Sequence, residues 1–578
     1  MHIFRVWGTL PKLVEVRVHS KDHPMQRGED GWWTVEVPSV RPGSDYGFVL
    51  DGDGPFPDPR SPWQPNGVHA LSRLVDHDAF EWTDGGFKAP PLSRAVIYEL
   101  HVGTFTPGGT FESTIEKLDH LVQLGVTHIE LMPVAEFSGN HGWGYDGVDL
   151  FAPHQAYGGP EGLKKLVNAC HTRGLAVLLD VVYNHLGPSG NYLAKYAPYF
   201  NDRYHTPWGW AVNFDGPNSE QVRRFFCDNA LMWLRDYHFD GLRLDAVHAI
   251  FDMSARPFLE QLGDEVRQLS RQTGRRRVVI PESDLNDPRL LWPHQRGGFA
   301  LDAQWSDDFH HALHSVLTGE RSGYYQDFGS LADLAQALRH AYVYDGRYSI
   351  HRQRPHGRPP LALDGHRFLG YAQTHDQVGN RAQGERLSQL VSPGRLKVAA
   401  AIVFSSPFVP MLFQGEEWGA STPFQYFTDH PEPDLAQAVR EGRRREFASF
   451  GWKPQDVPDP QARGTFACSK LNWAELTEAP HGDMLAWHHQ LIRLRQREPS
   501  LRDGRLDLVR TRFDESARWL VFERGPITVA CNLAQQHHRV PLRAGRNRVC
   551  LQSEADVRLE SRQVSLPPES VVILKGRL

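Results

Sequence analysis

The chain has 578 residues, too many for one ordinary domain and enough for two or three with full cores. Its 63 basic and 69 acidic side chains leave a net charge of −6, spread along the sequence and not in blocks, which excludes an extended nucleic-acid-binding surface. No apolar run reaches the roughly eighteen residues of a membrane span, and the first residues lack the pattern of a secretory leader, so a cytoplasmic protein without membrane contact is expected. Cys170, Cys227, Cys468, Cys531 and Cys550 are odd in number and widely spaced, without C-x-x-C, and read as reduced, mostly buried thiols. The Arg275-Arg276-Arg277 and Arg443-Arg444-Arg445 patches read as solvated helix or loop faces. Sixteen Trp, 17 Tyr and 30 Phe are the informative excess, many of them in Gly/Pro/Asp-rich loops. Such rings suit stacking on sugars, or else form hydrophobic clusters under long loops.

Residues 1–90 show short alternating strands with turn residues between them, as in Leu13–Val18, Trp32–Val37 and Tyr46–Leu50, which predicts an N-terminal β-sandwich. It binds carbohydrate or braces the adjoining domain, and bracing is the simpler expectation. Ala89-Pro90-Pro91 marks a boundary, after which strand and helix alternate. Strands are predicted at Ala95–Val102, Thr127–Val134, Leu175–Val182, Asp240–Val247, Arg277–Glu282, Ala300–Asp307, Arg367–His375 and Val409–Gln414. Helices are predicted at Phe111–Gly125, Glu161–Arg173, Ser219–Tyr237 with Ser219 as N-cap, Pro257–Leu269, Phe309–Leu317, Leu331–Ala341, Arg395–Phe404 and Met484–Arg497. This is an α/β pattern, and residues 91–498 are expected to form a (β/α)8 TIM barrel with long βα loops. A doubly wound sheet is the alternative, but it would not gather distant strand ends around one centre. From residue 499 to 578 the pattern returns to β, with strands at Trp519–Glu523, Ile527–Leu533 and Ser570–Leu574, and predicts a C-terminal β-sandwich.

Four predicted strands end in polar groups: Asp180-Val181-Val182-Tyr183-Asn184-His185, Gly241-Leu242-Arg243-Leu244-Asp245, Ile280-Pro281-Glu282-Ser283 and Thr374-His375-Asp376. In a parallel barrel such endings converge on one pocket. Alternation along a strand points Arg243 and Asp245 the same way, and a guanidinium keeps a neighbouring carboxylate ionised, as a nucleophile aimed at a sugar carbon requires. Glu282 ends an apolar strand beside other carboxylates and is the candidate proton donor. Asp376 is a third carboxylate able to grip sugar hydroxyls, with His185 and His375 as hydrogen-bond donors. A metal cluster is the competing reading of this set, but it lacks a helical H-x-x-x-H pair, so no metal or other cofactor is expected.

In their order and spacing these four segments resemble the motifs of the α-amylase family of glycosidases. The resemblance implies Asp245 as nucleophile, Glu282 as acid/base, Asp376 as transition-state stabiliser, Tyr145 as a stacking aromatic, and Arg243, His185 and His375 as partners of the sugar at the cleavage point. Asn184, His248, Gln377 and Asn380, in or beside the motifs, join the expected substrate contacts. Thr374 departs from the Asn that many members carry there, which bears on one local contact. Longer stretches, Tyr98–Pro107, Glu282–Arg289, Asp302–His311, His375–Arg381 and Gly415–His430, are most similar to the maltooligosyltrehalose trehalohydrolase branch of that family. The branch implies cleavage of the α-1,4 bond next to the terminal trehalose of maltooligosyl trehalose, with trehalose as product. Phe424, Tyr426 and Asp429 after the eighth strand, and Asp308, His310 and His311 after the sixth, are then expected near the trehalose unit, with loop packing and helix capping as their alternatives. A glycogen branching enzyme of the same architecture, or a non-catalytic carbohydrate-binding relative, are the rival readings.

Overall fold

The structure, a computed structural model, describes residues 1–448, 453, 456–543, 545 and 547–576. Its centre is a sheet of eight parallel strands: β1 (Ile97–Leu100), β2 (His128–Leu131), β3 (Ala176–Val181), β4 (Gly241–Leu244), β5 (Val278–Pro281), β6 (Gln304–Trp305), β7 (Phe368–Tyr371) and β8 (Val409–Phe413). The strands are buried throughout, as the near-continuous apolar runs of a sheet covered on both faces demand. Their order is β5-β4-β3-β2-β1-β8-β7-β6. Asp302 draws the two open edges together. Its backbone N–H donates to the Val279 carbonyl at 3.0 Å, and its carboxylate accepts from the Val279 N–H at 2.9 Å. The sheet thereby curls into a nearly closed barrel.

Local chemistry sets the outer helices. The segment predicted as one helix from Phe111 divides into Phe111–Ile115 and Leu118–Leu124, and the second part stops at Gly125 with φ 97°. The Ser219–Asp236 helix does not use Ser219 as its cap. The Gly216-Pro217-Asn218 turn enters it instead, with Asn218 at φ 61°, a left-handed conformation that Asn tolerates better than most residues. Before the barrel, Val14–Val18 pairs with Asp45–Leu50, and Trp32–Val37 with His2–Trp7. This part is fastened to the Ser219–Asp236 helix by Arg60 on Asp228 at 2.9 Å and Trp32 on Gln221 at 3.2 Å. After the barrel come a five-stranded and a three-stranded sheet. Buried Arg524 of the five-stranded sheet donates to the carbonyls of Ser405 and Ser406 at the end of the Pro393–Ser405 helix.

The two arginine patches are solvated faces only in part: Arg276, Arg444 and Arg445 are exposed, but one member of each triplet is buried. Arg277 is buried and donates to the Leu234 carbonyl at 3.0 Å, and buried Arg443 reaches the Gly379 carbonyl at 2.5 Å. A run of like charges hid the fact that each triplet sends one guanidinium inward to a carbonyl. Cys170, Cys227 and Cys531 are buried free thiols, Cys550 is half-buried and Cys468 exposed.

Below the barrel lies a charged staple. Buried His171 bridges Asp84, at 2.7 Å from Nδ1, and Asp240, at 2.9 Å from Nε2. Asp84 also accepts from His238 and Arg275, while Trp82 and Phe87 stack on His238 and His171. Burial opposes charge on His171, but its bonds to Asp240 and Asp84 raise its pKa above the ordinary 6.5. A raised imidazole pKa adds stability that is fully present below 6.5 and lost as pH climbs through the raised value. His171→Ala, which leaves two buried carboxylates facing each other, is expected to cost about 3–5 kcal/mol. Melting temperatures recorded across this pH range check both points: the variant should melt lower and lose the decline that the parent shows as His171 deprotonates.

Candidate active site

The C-terminal strand ends meet on Arg243, whose side chain at the end of β4 is fully buried. Its Nη1 donates to both oxygens of Asp180, at 2.9 and 2.8 Å, and to Oδ1 of Asp245 at 2.9 Å. Asn184, past the end of β3, donates to the other Asp245 oxygen at 2.7 Å. Two donors thus fix the orientation of the Asp245 carboxylate. The next residue, Ala246, sits at φ 38° and ψ 52°, a left-handed conformation that costs a non-glycine residue roughly 1–2 kcal/mol. Its N–H donates to Oε2 of Glu282, 2.5 Å away. Burial pushes the Glu282 pKa well above the carboxylate range; Asp245, Asp307 and Asp376 push it further and Arg243, with Nη2 at 3.8 Å, opposes them.

His375, past the end of β7, is the second cation of the floor. Its Nδ1 is bonded to Glu99 of β1, and its Nε2 lies 2.7 Å from the Tyr145 hydroxyl and 3.4 Å from Asp376. Burial lowers its pKa, but Asp376 and Glu99 overcome this and bring it up to about 9. The Tyr145 hydroxyl then accepts from the imidazolium and donates to Asp180 at 2.7 Å. Asp376 is the most exposed of the three acids, with 40% of its side chain open against 13% for Asp245 and 14% for Glu282. Thr374 caps its short helix: Oγ1 accepts from the Asp376 N–H at 3.2 Å and donates to Gln377 at 2.5 Å, so the departure from Asn leaves the position capped. Asn380 reaches Asp376 at 3.4 Å and accepts from Arg443 at 3.0 Å. His185 is bonded to Asn184 and to the Tyr145 carbonyl and stacks on Trp208 at 4.1 Å, while His248 stands exposed at the rim, 3.9 Å from Asp284.

Several expected contacts are turned away from this centre. Asp308 is buried and accepts from the N–H groups of Val343 and Tyr344 at 2.6 and 2.7 Å, so it anchors a loop. Successive helical residues point about 100° apart, and its neighbour Asp307 faces the acids instead, bonded to Tyr371 at 2.5 Å and raised by burial to about 7. His310 is fully buried against Tyr371, and half-buried His311 packs on Tyr324, Tyr325 and Phe328. Phe424, also fully buried, stacks on Trp143 at 5.2 Å and so backs the wall without forming its surface. Asp429 accepts from the Asn140 N–H at 2.7 Å and ties two loops together. Tyr426 remains half-exposed beneath Arg443 and lines a cavity of about 610 Å³ with Asp146, His185, Trp208, Trp210 and His430. A second cavity of about 610 Å³ is lined by His248, Met253, Leu285 and Arg289, among others. Glu99, Asp307, Trp208 and Arg443 were not singled out as site residues in the sequence. Only Asp307, next to a chosen residue, carried a signal that pointed to it. Among the described residues no group of His, Cys, Asp or Glu is arranged to hold a metal ion.

The alpha amylase catalytic-domain model matches residues 73–217, and a model for a domain of unknown function matches residues 504–573. A malto-oligosyltrehalose trehalohydrolase from Arthrobacter ramosus is 51% identical, over 94% of this chain and 94% of its own. The chain belongs to the malto-oligosyltrehalose trehalohydrolase family. A crystal structure from Salmonella typhimurium, described as a candidate alpha amylase, superposes with a TM-score of 0.91 at 39% identity and covers 99% of this chain and 97% of its own. By contrast a 1,4-alpha-glucan branching enzyme from Vibrio cholerae, 37% identical, is matched over 39% of this chain and 34% of its own. The family assignment thus spans the segments on either side of the barrel as well as the barrel itself.

The contact path that reaches Asp376 from Arg443 through Asn380 starts outside the four motifs. Arg443→Met is expected to lower kcat about tenfold, close to 1.4 kcal/mol, by loosening Asp376. Steady-state kinetics beside the parent check this; an unchanged kcat would remove Arg443 from the path.

Proposed function

We propose that the protein hydrolyses the α-1,4-glucosidic bond next to the terminal trehalose of a maltooligosyl trehalose, with net retention, and releases trehalose in the cytoplasm. The observation that carries the reading is the identity of 51% across 94% of both chains to a relative named as a trehalohydrolase. The charge arrangement supports the chemistry. Asp245, gripped by Arg243 and Asn184, attacks the anomeric carbon. Glu282, kept neutral by burial and its acidic neighbours, gives its proton to the glycosidic oxygen, and trehalose departs. Glu282, now ionised, takes a proton from water, whose oxygen attacks the glycosyl ester on Asp245; the glucan leaves with its configuration retained and both acids return to their first state. Asp376 and the charged His375 serve as partners of the sugar hydroxyls at the cleavage point.

Maltohexaose and maltotetraosyl trehalose, digested in parallel and resolved by chromatography, test the substrate. Free trehalose from the second, with much slower attack on the first, is expected; equal cleavage, or new branch points on a longer glucan, would overturn the assignment. Glu282→Gln should lower kcat by about 10²–10⁴-fold. In the parent, kcat/KM should fall as pH rises through the raised Glu282 pKa, because the working form is the protonated one. A pH–rate profile without that basic limb would remove Glu282 from the role.

A further inference from the structure

Inward residues of a TIM barrel stack in layers drawn from alternate strands, four side chains to a layer. The even strands supply Glu130 from β2, Arg243 from β4, Trp305 from β6 and Met411 from β8, all between 0 and 2% exposed. This layer is unusual for a barrel interior because three of its members carry polar atoms and most of those atoms are left without protein partners among the described residues. The Arg243 guanidinium lies 4.3 Å above the Trp305 ring and commits Nη1 to Asp180 and Asp245. Its Nε and Nη2, the Trp305 Nε1 and both carboxyl oxygens of Glu130 have no hydrogen-bond partner among the described residues. Donors on two members and acceptors on a third thus share one buried layer without direct bonds between them. Buried polar groups left in this condition are costly, and native proteins satisfy them through ordered water.

We propose that Glu130 is a positioning residue: through ordered water it accepts from the free N–H edge of Arg243, fixes the guanidinium plane, and so holds the Asp245 carboxylate in line for attack. The proposal rests on the reading of Asp245 as nucleophile. The surroundings of Glu130 fit the role. Burial raises its pKa well above the carboxylate range, with Glu99 and Asp180 adding to the shift and Arg243 and His375 opposing it, so the group is a neutral acid that both donates to and accepts from water without adding charge to the floor. An amide can do the same, whereas an alkyl group can do neither.

Glu130→Gln and Glu130→Leu on the full chain, assayed on maltotetraosyl trehalose beside the parent, test the role. We expect Gln to keep kcat within about threefold and Leu to lose at least about tenfold in kcat with KM changed less than about twofold, because positioning acts on the attack and not on sugar binding. A folded Leu variant with the parent's kcat, or a folded Gln variant as slow as Leu, would overturn the proposal. A crystal structure of the parent near 1.2 Å gives a readout independent of turnover and of whether the Leu variant folds. Water within hydrogen-bond distance of both Glu130 and Arg243 is the expected result, and a dry layer would overturn the proposal. The parent's own products separate the two readings: if the parent releases no trehalose, the substrate assignment fails whatever the variants do.

Discussion

A guanidinium buried at the end of a barrel strand is the constraint on which the site depends. Arg243 is fully enclosed, and a cation taken out of water costs several kcal/mol unless carboxylates and hydrogen bonds compensate. Asp180 and Asp245 provide that compensation on one face. Each carboxylate then needs partners of its own, and the demand spreads outward: Asp180 to Tyr145, Tyr145 to His375, His375 to Glu99, Asp245 to Asn184. Residues from the ends of β1, β3, β4 and β7, far apart in sequence, are joined by the need to neutralise two cations in a low-dielectric interior. The geometry of Asp245 comes from this network and not from any feature of its own loop.

The same balance of charge separates the acids into roles. Asp245, Asp307 and Asp376 all act on Glu282, and the local cations, Arg243 and His375, are in contact with Asp180, Asp245, Glu99 and Asp376. Not all of these carboxyls can ionise together at neutral pH. The proton settles on Glu282, which meets no cation directly: it is bonded only to a backbone N–H and lies 3.8 Å from the nearest guanidinium nitrogen. Acid and nucleophile therefore emerge from one electrostatic problem with one solution.

Much of this was legible in the sequence, and the division between what was and what was not has a physical basis. The barrel and its four polar strand endings were readable because buried parallel strands write apolar runs and the chemistry sits at their ends. Side-chain direction in loops and at helix starts was not. Asp307 and Asp308 are adjacent and chemically identical, and only the phase of the helix decides which faces the acids and which anchors Val343 and Tyr344. Phe424 and Tyr426 share a loop, yet one is sealed behind Trp143 and the other opens on a cavity. Arg443 sits in a run of three arginines, a pattern that ordinarily marks solvent, and its inward bond goes to the carbonyl of Gly379, at the end of the His375–Gly379 helix, which no local pattern announces.

The layered filling of the barrel shows how fold and chemistry are kept apart. Its apolar interior is supplied by Ile97, Leu178, Val278, Ala303, Leu369 and Val409, while Glu99, Glu130, Asp180 and Arg243 take the inward positions nearer the strand ends. Apolar layers gain stability from burial with no requirement for orientation, so they tolerate changes that conserve volume. The charged layers gain little net stability and demand specific partners, since removing one member leaves another buried and unpaired. A volume change among the apolar residues therefore weakens the fold before it touches the reaction, whereas truncating Arg243 or Asp180 disturbs the reaction through the buried partner it leaves unpaired.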